Sequence, residues 1–386
     1  MEEPELREIL ATVREFVRGV VVPAEDEIEA SDEIPAAIRN AAAAMGLYGF
    51  AIPAEHGGLG LSLPEEVRLV FELGYAAPAF RSLFGTNNGI AGHVLLEGGT
   101  PKQRAEYLPR LASGEWTASF ALTEPEAGSD PSTLTTSARR DGGDWVITGN
   151  KRYITNAPYA DVFMVFARTD PDATPSRGIS AFLVERGVPG LSVGPKDRKM
   201  GQAGAVTADV SFDEVRVPPE RLIGDVPGAG YATAMRCLAH GRIHIAALCV
   251  GLMQRLVDES VRWAVTRRQS GRPIGDFQLV QGMLADSQTD LMAGRGLVIE
   301  AARAYEVGED RRTGPACAKY FASEAVCRVA DRAVQIHGGA GYMRGVPAER
   351  LYRDARLFRI YEGTSQIQQL IIAREVLRAA RESAAR

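Results

Sequence analysis

No G-x-G-x-x-G follows a strand pattern and opens a helix anywhere in this 386-residue sequence. That excludes the usual strand–turn–helix route to a bound dinucleotide; Gly339, Gly341 and Gly345 approach the spacing but follow a helical pattern. No uninterrupted apolar run reaches the ~18 residues of a membrane span, so none is expected. Lys and Arg form no block and the formal net charge is −5, which argues against nucleic acid as a partner, because phosphate neutralisation needs clustered positive charge. Cysteine is scarce. Cys237, Cys249, Cys317 and Cys327 lie too far apart for a C-x-x-C site, and no metal site is expected. Their apolar or alanine-rich helical surroundings predict buried free thiols in a reducing compartment. The N-terminal Met1-Glu2-Glu3-Pro4-Glu5 is acidic. It has neither the apolar core of a secretory signal nor the arginine-rich character of a transit peptide, so the expected location is the cytoplasm.

With 45% hydrophobic residues, the chain has material for two or three domains of ordinary size. Three segments differ in hydrophobic period. Residues 1–115 read as helical: Leu6, Ile9, Leu10, Val13, Phe16 and Val17 recur at helix spacing, as do Ile38, Ala41, Ala42 and Met45 before Gly46. The Pro- and Gly-rich run from Ile52 to Gly58 marks a loop. Residues 116–226 shift to a period of two. Trp145–Thr148, then Gly149-Asn150, then Lys151–Thr155 predict strand, tight turn and strand. Asp161–Arg168 and Ile179–Glu185 are further short apolar runs, and Val206, Ala208, Val210 and Phe212 alternate with polar residues as one buried sheet face requires. A small β-barrel or sandwich is expected. Residues 227–386 return to long helices: one with Ile243, Ala247, Val250, Leu256 and Val257 along one side, a second from Phe277 towards Ala304, a third from Pro315 to His337 ended by Gly338-Gly339. A fourth starts after Glu362, where Ser365 and Gln368 have the spacing of a capping box. Four long helices predict a bundle. The fold class is α+β, in the order α, β, α.

Three segments carry possible chemistry. Phe120 to Asp130 joins a strand end to a small-residue loop, which can present backbone N–H groups and the hydroxyls of Thr123 and Ser129 to a ligand. Tyr153 and Thr155 lie on a strand; Glu362 precedes a helix N-terminus. Taken singly, these read as an ordinary turn, a core aromatic and a dipole-favoured surface acid.

Taken together they are specific. Thr123-Glu124-Pro125-Glu126-Ala127-Gly128-Ser129-Asp130, then Lys151-Arg152-Tyr153-Ile154-Thr155-Asn156, then Tyr361-Glu362-Gly363-Thr364-Ser365-Gln366-Ile367-Gln368 resemble the acyl-CoA dehydrogenase family in order and spacing, and the likeness covers nearly the whole chain. The resemblance implies an N-terminal helical domain, a middle β-domain and a C-terminal four-helix bundle, with FAD between the last two. By position, Phe120, Leu122, Thr123, Gly128, Ser129, Tyr153 and Thr155 would approach the flavin ring, and Ser129 also the substrate. Arg267, Gln269, Phe277, Gln278 and the run Gln335 to Gly339, with Gly338 and Gly339, match contacts to the FAD of a neighbouring subunit. Thr364 and Gln366 match further contacts at a helix N-terminus suited to phosphates. A shared site requires at least a dimer; the family is commonly a homotetramer, a dimer of dimers.

The implied activity is α,β-desaturation of an acyl-CoA thioester to the trans-2-enoyl-CoA, as in fatty-acid β-oxidation, with electrons passed to electron-transfer flavoprotein. Glu362 would remove the α-proton while the β-hydride goes to flavin N5. The thioester oxygen would accept hydrogen bonds from the flavin ribityl chain and the Glu362 N–H. Gly363 would clear bulk where the thioester approaches, and Arg242 would contact substrate. The sequence departs from the family at Ala239, which replaces an Asp that helps hold CoA. The adjacent His240 reads as a surface or capping histidine, with a substitute polar contact as the alternative. Ser270 replaces an aromatic, and Ala203 and Val206 replace polar residues. The competing readings are a flavin oxidase or monooxygenase on the same scaffold, and a non-catalytic assembly member.

Overall fold

The computed structural model describes residues 1–384. The first helical segment forms α1 (Glu3–Phe16), α2 (Glu25–Ser31), α3 (Ala36–Ala44), α4 (Leu63–Leu73), α5 (Ala79–Gly85), α6 (Ala91–Gly98) and α7 (Pro101–Ser113). Leu6, Leu10 and Val13 bury the expected stripe of α1. Capping boxes start α4 at Ser62 and α7 at Thr100, where the Gln103 N–H donates to Thr100 Oγ1 at 3.2 Å.

The middle segment is one curled, seven-stranded sheet: β1 (Ala118–Ala121), β2 (Ser137–Asp141), β3 (Asp144–Thr155), β4 (Val162–Arg168), β5 (Ile179–Glu185), β6 (Leu191–Val193) and β7 (Thr207–Val217). The order is β1-β4-β2-β3-β7-β6, with β5 beside β4, and β1 runs parallel to β4. The turn expected at Gly149-Asn150 does not exist. Both residues lie inside β3, opposite Phe212 and Ser211 of β7, with an irregular register between Ile147 and Gly149. Gly149 has φ 150°, and a Cβ there would fall 2.4 Å from Thr136 Oγ1. The glycine therefore marks a bulge under a close crossing rather than a hairpin. Val206, Ala208, Val210 and Phe212 are buried as the alternation requires.

The third segment supplies α8 (Gly230–Thr266), a short hairpin of β8 (Arg268–Gln269) and β9 (Arg272–Pro273), α9 (Gln278–Glu306), α10 (Thr313–His337), α11 (Pro347–Ala355) and α12 (Ser365–Ala384). α10 ends on Gly338 at φ 61°. α8 is long and apolar enough to cross a membrane, yet 89% of its most apolar stretch is buried inside the protein. It packs against α4, α9 and α10, so its centre is buried all round rather than along the one side expected. Residues of both helical segments share a single hydrophobic core. All four cysteines lie on α8 or α10; Cys237 and Cys249 are buried, but Cys317 and Cys327 are only half-buried.

Candidate active site

Glu362 lies in the turn that leads into α12. It adopts φ 51° and Gly363 follows at φ 87°, two successive left-handed residues of which the first is strained for a side chain with a Cβ. Buried donors hold this kink. Lys319 Nζ on α10 donates to the Gly363 carbonyl at 2.6 Å, and Gln368 Nε2 donates to the carbonyls of Glu362 and Gly363 at 3.2 and 3.1 Å. A Cβ on Gly363 would sit 2.5 Å from Gln368 Nε2, so the glycine makes room for the side chain that fixes the turn. Gly363→Ala should cost about 1–3 kcal/mol through strained φ and this collision; an unchanged denaturant midpoint would contradict the assignment. The helix begins differently from the expected capping box. Thr364 Oγ1 accepts from the Ile367 N–H at 3.2 Å, while Ser365 Oγ turns to Glu324 Oε1 at 2.5 Å and Gln368 is engaged by the turn. The cap is Thr364 because the Ser365 and Gln368 side chains have stronger partners inside the protein.

The Glu362 carboxylate is confined. Its Oε2 is buried without a hydrogen-bond partner among the described residues. Burial raises its pKa above the ordinary 4.5, opposed by the nearby charges of Arg81, Lys319, Arg242 and His240, Arg81 foremost. Gly241 on α8 provides the space: a Cβ there would meet Glu362 Oε2 at 2.6 Å and Ile90 Cγ2 at 2.9 Å. The Glu362 backbone N–H donates to no group among the described residues. Arg242 is buried, with Nε unpartnered among the described residues; burial lowers its pKa and the nearby Glu362 charge opposes that.

The two sheet motifs adjoin. The Arg152 N–H donates to the Thr123 carbonyl at 2.9 Å, and Ser119 Oγ donates to the Thr155 carbonyl at 2.7 Å. Glu124 is a structural anchor that the motif alone did not reveal. Its carboxylate accepts from Lys151 Nζ at 2.8 Å, from the Thr135 N–H and hydroxyl, and from the Thr136 N–H; Lys151 also donates to the Leu122 carbonyl at 3.1 Å. Around this buried pair Phe120 and Thr155 are half-buried, Leu122 is buried, Thr123 is half-buried, and Gly128 and Ser129 are exposed. Tyr153 is 59% exposed, on a β3 residue with φ 57°. A bulge thus turns an aromatic outward where core packing was the ordinary expectation.

The remaining positions cluster at helix ends. Arg267, Gln269 and Gln278 are exposed where α8, the hairpin and α9 meet, with the half-buried Phe277 ring under Arg272 at 4.1 Å. Ser270 is in the hairpin turn at φ 51°, followed by Gly271 at φ 80°. Gln335, Gly338 and Gly339 are exposed at the end of α10, which stacks His337 on Trp263 of α8 at 4.9 Å. Thr364 is half-buried and Gln366 exposed. Leu279 and Tyr342, each 85% exposed, flank these two groups. Backbone at Gly128, Gly338 and Gly339 has open space where a Cβ would stand. An exposed aromatic over a half-apolar strand end, and glycine backbone open to close approach, fit a large planar cofactor with a phosphate tail.

A buried polar cluster lay beyond the sequence reading. His240 is not on the surface: it is 3% exposed, stacked on His93 at 4.1 Å, with Nε2 3.5 Å from Glu66 Oε2. Residues 239–253 of α8 are all buried, so no surface position exists there. His244, one turn on, places Nε2 2.5 Å from the same Glu66 oxygen and Nδ1 3.1 Å from Arg81 Nη2. Arg81 can only donate. His244 Nδ1 must therefore accept, and its proton resides on Nε2 towards Glu66. Burial and neighbouring positive charge hold the His244 pKa down to about 4, against the Glu66 hydrogen bond. For His240, burial is outweighed by the Glu66 charge, and its pKa is raised. The Glu66, His240 and His244 atoms lie close enough to hold a cation, but the Arg81 charge and the proton between His244 and Glu66 make the trio a hydrogen-bonded chain. Two histidines at i and i+4 next to an apolar run of the helix were the available signal.

Comparison with known proteins agrees with the geometry. Family models for the N-terminal, middle and C-terminal domains of acyl-CoA dehydrogenase match residues 3–115, 119–215 and 228–377. A 3-(aryl)acrylate reductase of Clostridium sporogenes is 38% identical over 98% of this chain and 99% of its own. The caffeyl-CoA reductase-Etf complex subunit CarC of Acetobacterium woodii is 38% identical over 92% of this chain and 93% of its own. The structure of butyryl-CoA dehydrogenase from Megasphaera elsdenii superimposes with a TM-score of 0.93 at 31% identity, covering 96% of this chain and 98% of that one. With three domains in the family's order along nearly its whole length, this chain belongs to the acyl-CoA dehydrogenase family of oxidoreductases acting on CH–CH bonds.

Proposed function

We propose that this protein is an FAD-dependent acyl-CoA dehydrogenase in which Glu362 removes the α-proton of a saturated acyl thioester. The observation that carries this reading is the Glu362 carboxylate: buried, unpartnered at Oε2 among the described residues and given space by Gly241. A carboxylate so placed is a stronger base than one in water, because burial has disfavoured its charge. The unengaged Glu362 N–H is suited to donate to the thioester oxygen as negative charge develops there. Phe120, Leu122, Thr123, Gly128, Ser129, Tyr153 and Thr155 would hold the flavin from the sheet side. Arg267, Gln269, Phe277, Gln278, Gln335, Gly338, Gly339, Thr364 and Gln366 would hold the FAD across a subunit boundary, in a dimer or a dimer of dimers. The cofactor supplies a hydride acceptor at N5. Arg242, buried beside Glu362, would bind the substrate with Ser129 and Gly363.

Electron-transfer flavoprotein is the expected redox partner, and the relative named as part of an Etf complex supports it. A second reading has an observation of its own. Two similar proteins are named as reductases of unsaturated acids or their CoA thioesters, so the same site can run towards saturation, with Glu362 returning the α-proton. Reduction of bound FAD by saturated acyl-CoA, compared with oxidation of reduced FAD by the enoyl-CoA, distinguishes the favoured direction.

The pH dependence has a definite sign. The base acts as carboxylate, so single-turnover flavin reduction should fall as pH drops through the Glu362 pKa. That limb should lie above the ordinary 4.5. A rate constant level down to pH 4.5 in rapid-mixing experiments would contradict the assignment.

A further inference from the structure

Of the buried arginines, Arg255 and Arg350 both face carboxylates: Arg255 pairs with Glu259 and Glu25, and Arg350 with Glu25 and Asp26. Arg81, 6% exposed, does not. It forms no salt bridge among the described residues, its Nε is unpartnered among them, and its guanidinium makes one hydrogen bond, to His244 Nδ1 at 3.1 Å. A guanidinium carries five donors and stays charged. Burying it without a carboxylate is costly, which depresses its pKa even with Glu362 opposing.

The surroundings are built for this group. A Cβ on Gly85 would lie 2.5 Å from Arg81 Nη1, and one on Gly89 3.0 Å from Nη2. Gly85 precedes and Gly89 lies within a segment of π-helix, Thr86–Ile90, a distortion that recurs at functional sites. Asn87 and Asn88 pin that segment by donating to the carbonyls of Leu111, Trp116, Leu47 and Phe84. His244, oriented by Glu66, fixes one edge of the guanidinium. Ile90 reaches the space beside Glu362 Oε2, and its neighbour Gly89 leaves the room that Arg81 Nη2 occupies. Adjacent Cα atoms are only about 3.8 Å apart, so a few carbon atoms span from base to guanidinium.

We propose that Arg81 is a substrate-specificity residue that binds a carboxylate at the far end of a short acyl chain, making ω-carboxyacyl-CoA thioesters the preferred substrate class. Such a substrate supplies the carboxylate counter-charge that Arg81 lacks among the described residues; Glu66 and His244 position the guanidinium. This rests on the acyl-CoA reading of the site, and the alternative role for Arg81 is to tune Glu362 alone.

Calorimetric binding to the FAD-loaded protein tests it without requiring turnover. Succinyl-, glutaryl- and adipyl-CoA would be compared with butyryl-, pentanoyl- and hexanoyl-CoA. At least one dicarboxylic thioester should bind about 10-fold or more tightly than its neutral counterpart, as a charge-assisted contact implies. Arg81→Met should erase that ratio while changing neutral thioesters by less than about threefold, and Arg81→Lys should retain part of it. If Arg81→Met does not fold, the wild-type ratio and Arg81→Lys still decide the matter. Equal affinities in wild type, or equal losses for both classes in the variants, would overturn the proposal. Flavin bleaching by the neutral series with no carboxylate preference would leave the dehydrogenase reading intact. A carboxylate preference without bleaching by any thioester would do the reverse.

Discussion

Glu362→Gln is expected to leave the protein folded and FAD-bound while slowing flavin reduction by saturated acyl-CoA roughly 10²–10⁴-fold, the range for loss of a positioned base. The carboxamide has nearly the shape of the carboxylate and fits the space left by Gly241. The turn is held through main-chain carbonyls by Lys319 and Gln368, so it does not depend on the side chain that is changed. Binding should therefore survive and the loss should fall on the chemical step. Stopped-flow absorbance under anaerobic conditions reads this directly. Near-normal reduction would remove Glu362 from the reaction.

Lys151→Met is expected to destabilise the protein by about 3–5 kcal/mol, the cost of stranding a buried charge. Glu124 is 4% exposed and Lys151 wholly buried, so no water replaces the lost Nζ. The same change frees the Leu122 carbonyl and loosens the loop proposed to face the flavin, so FAD affinity should fall alongside stability. Glu124 has its pKa lowered from 4.5 to about 2, because Lys151 and the Thr135 and Thr136 donors outweigh burial. A depressed carboxylate stabilises the fold above its unfolded value and loses that contribution as pH falls through the folded one. Wild type should therefore lose stability between about pH 4.5 and 2 from this site, and Glu124→Gln should flatten that part of the curve. Equal denaturant midpoints for Lys151→Met and wild type would show the pair to be dispensable.

Much of this was legible in the sequence, and the misses have physical causes. Hydrophobic period located the helical, sheet and helical segments because each buries one face against a core. It failed at Gly149-Asn150, where a glycine required by close crossing with Thr136 imitates a hairpin. It failed again at α8, whose wholly buried centre has no polar side to mark its period. The capping-box spacing at Ser365 was outcompeted by Glu324, a residue 41 positions away. Motif resemblance supplied Glu362 and the flavin-facing positions. It could not supply the chain from Glu66 through His244 to Arg81, because these residues lie on three helices and meet only through tertiary packing. His240 was misread for the same reason.

The central claim is that Glu362 takes the α-proton, and proton removal can be observed apart from hydride transfer. A 3-thia-acyl-CoA carries sulfur at the β-position and cannot give up a hydride. Incubated in D₂O with the FAD-loaded wild-type protein, it should exchange its α-hydrogens for deuterium, followed by NMR. With Glu362→Gln the exchange should fall to the rate without protein. Exchange at the wild-type rate in that variant would contradict the account, because another group would then be the base.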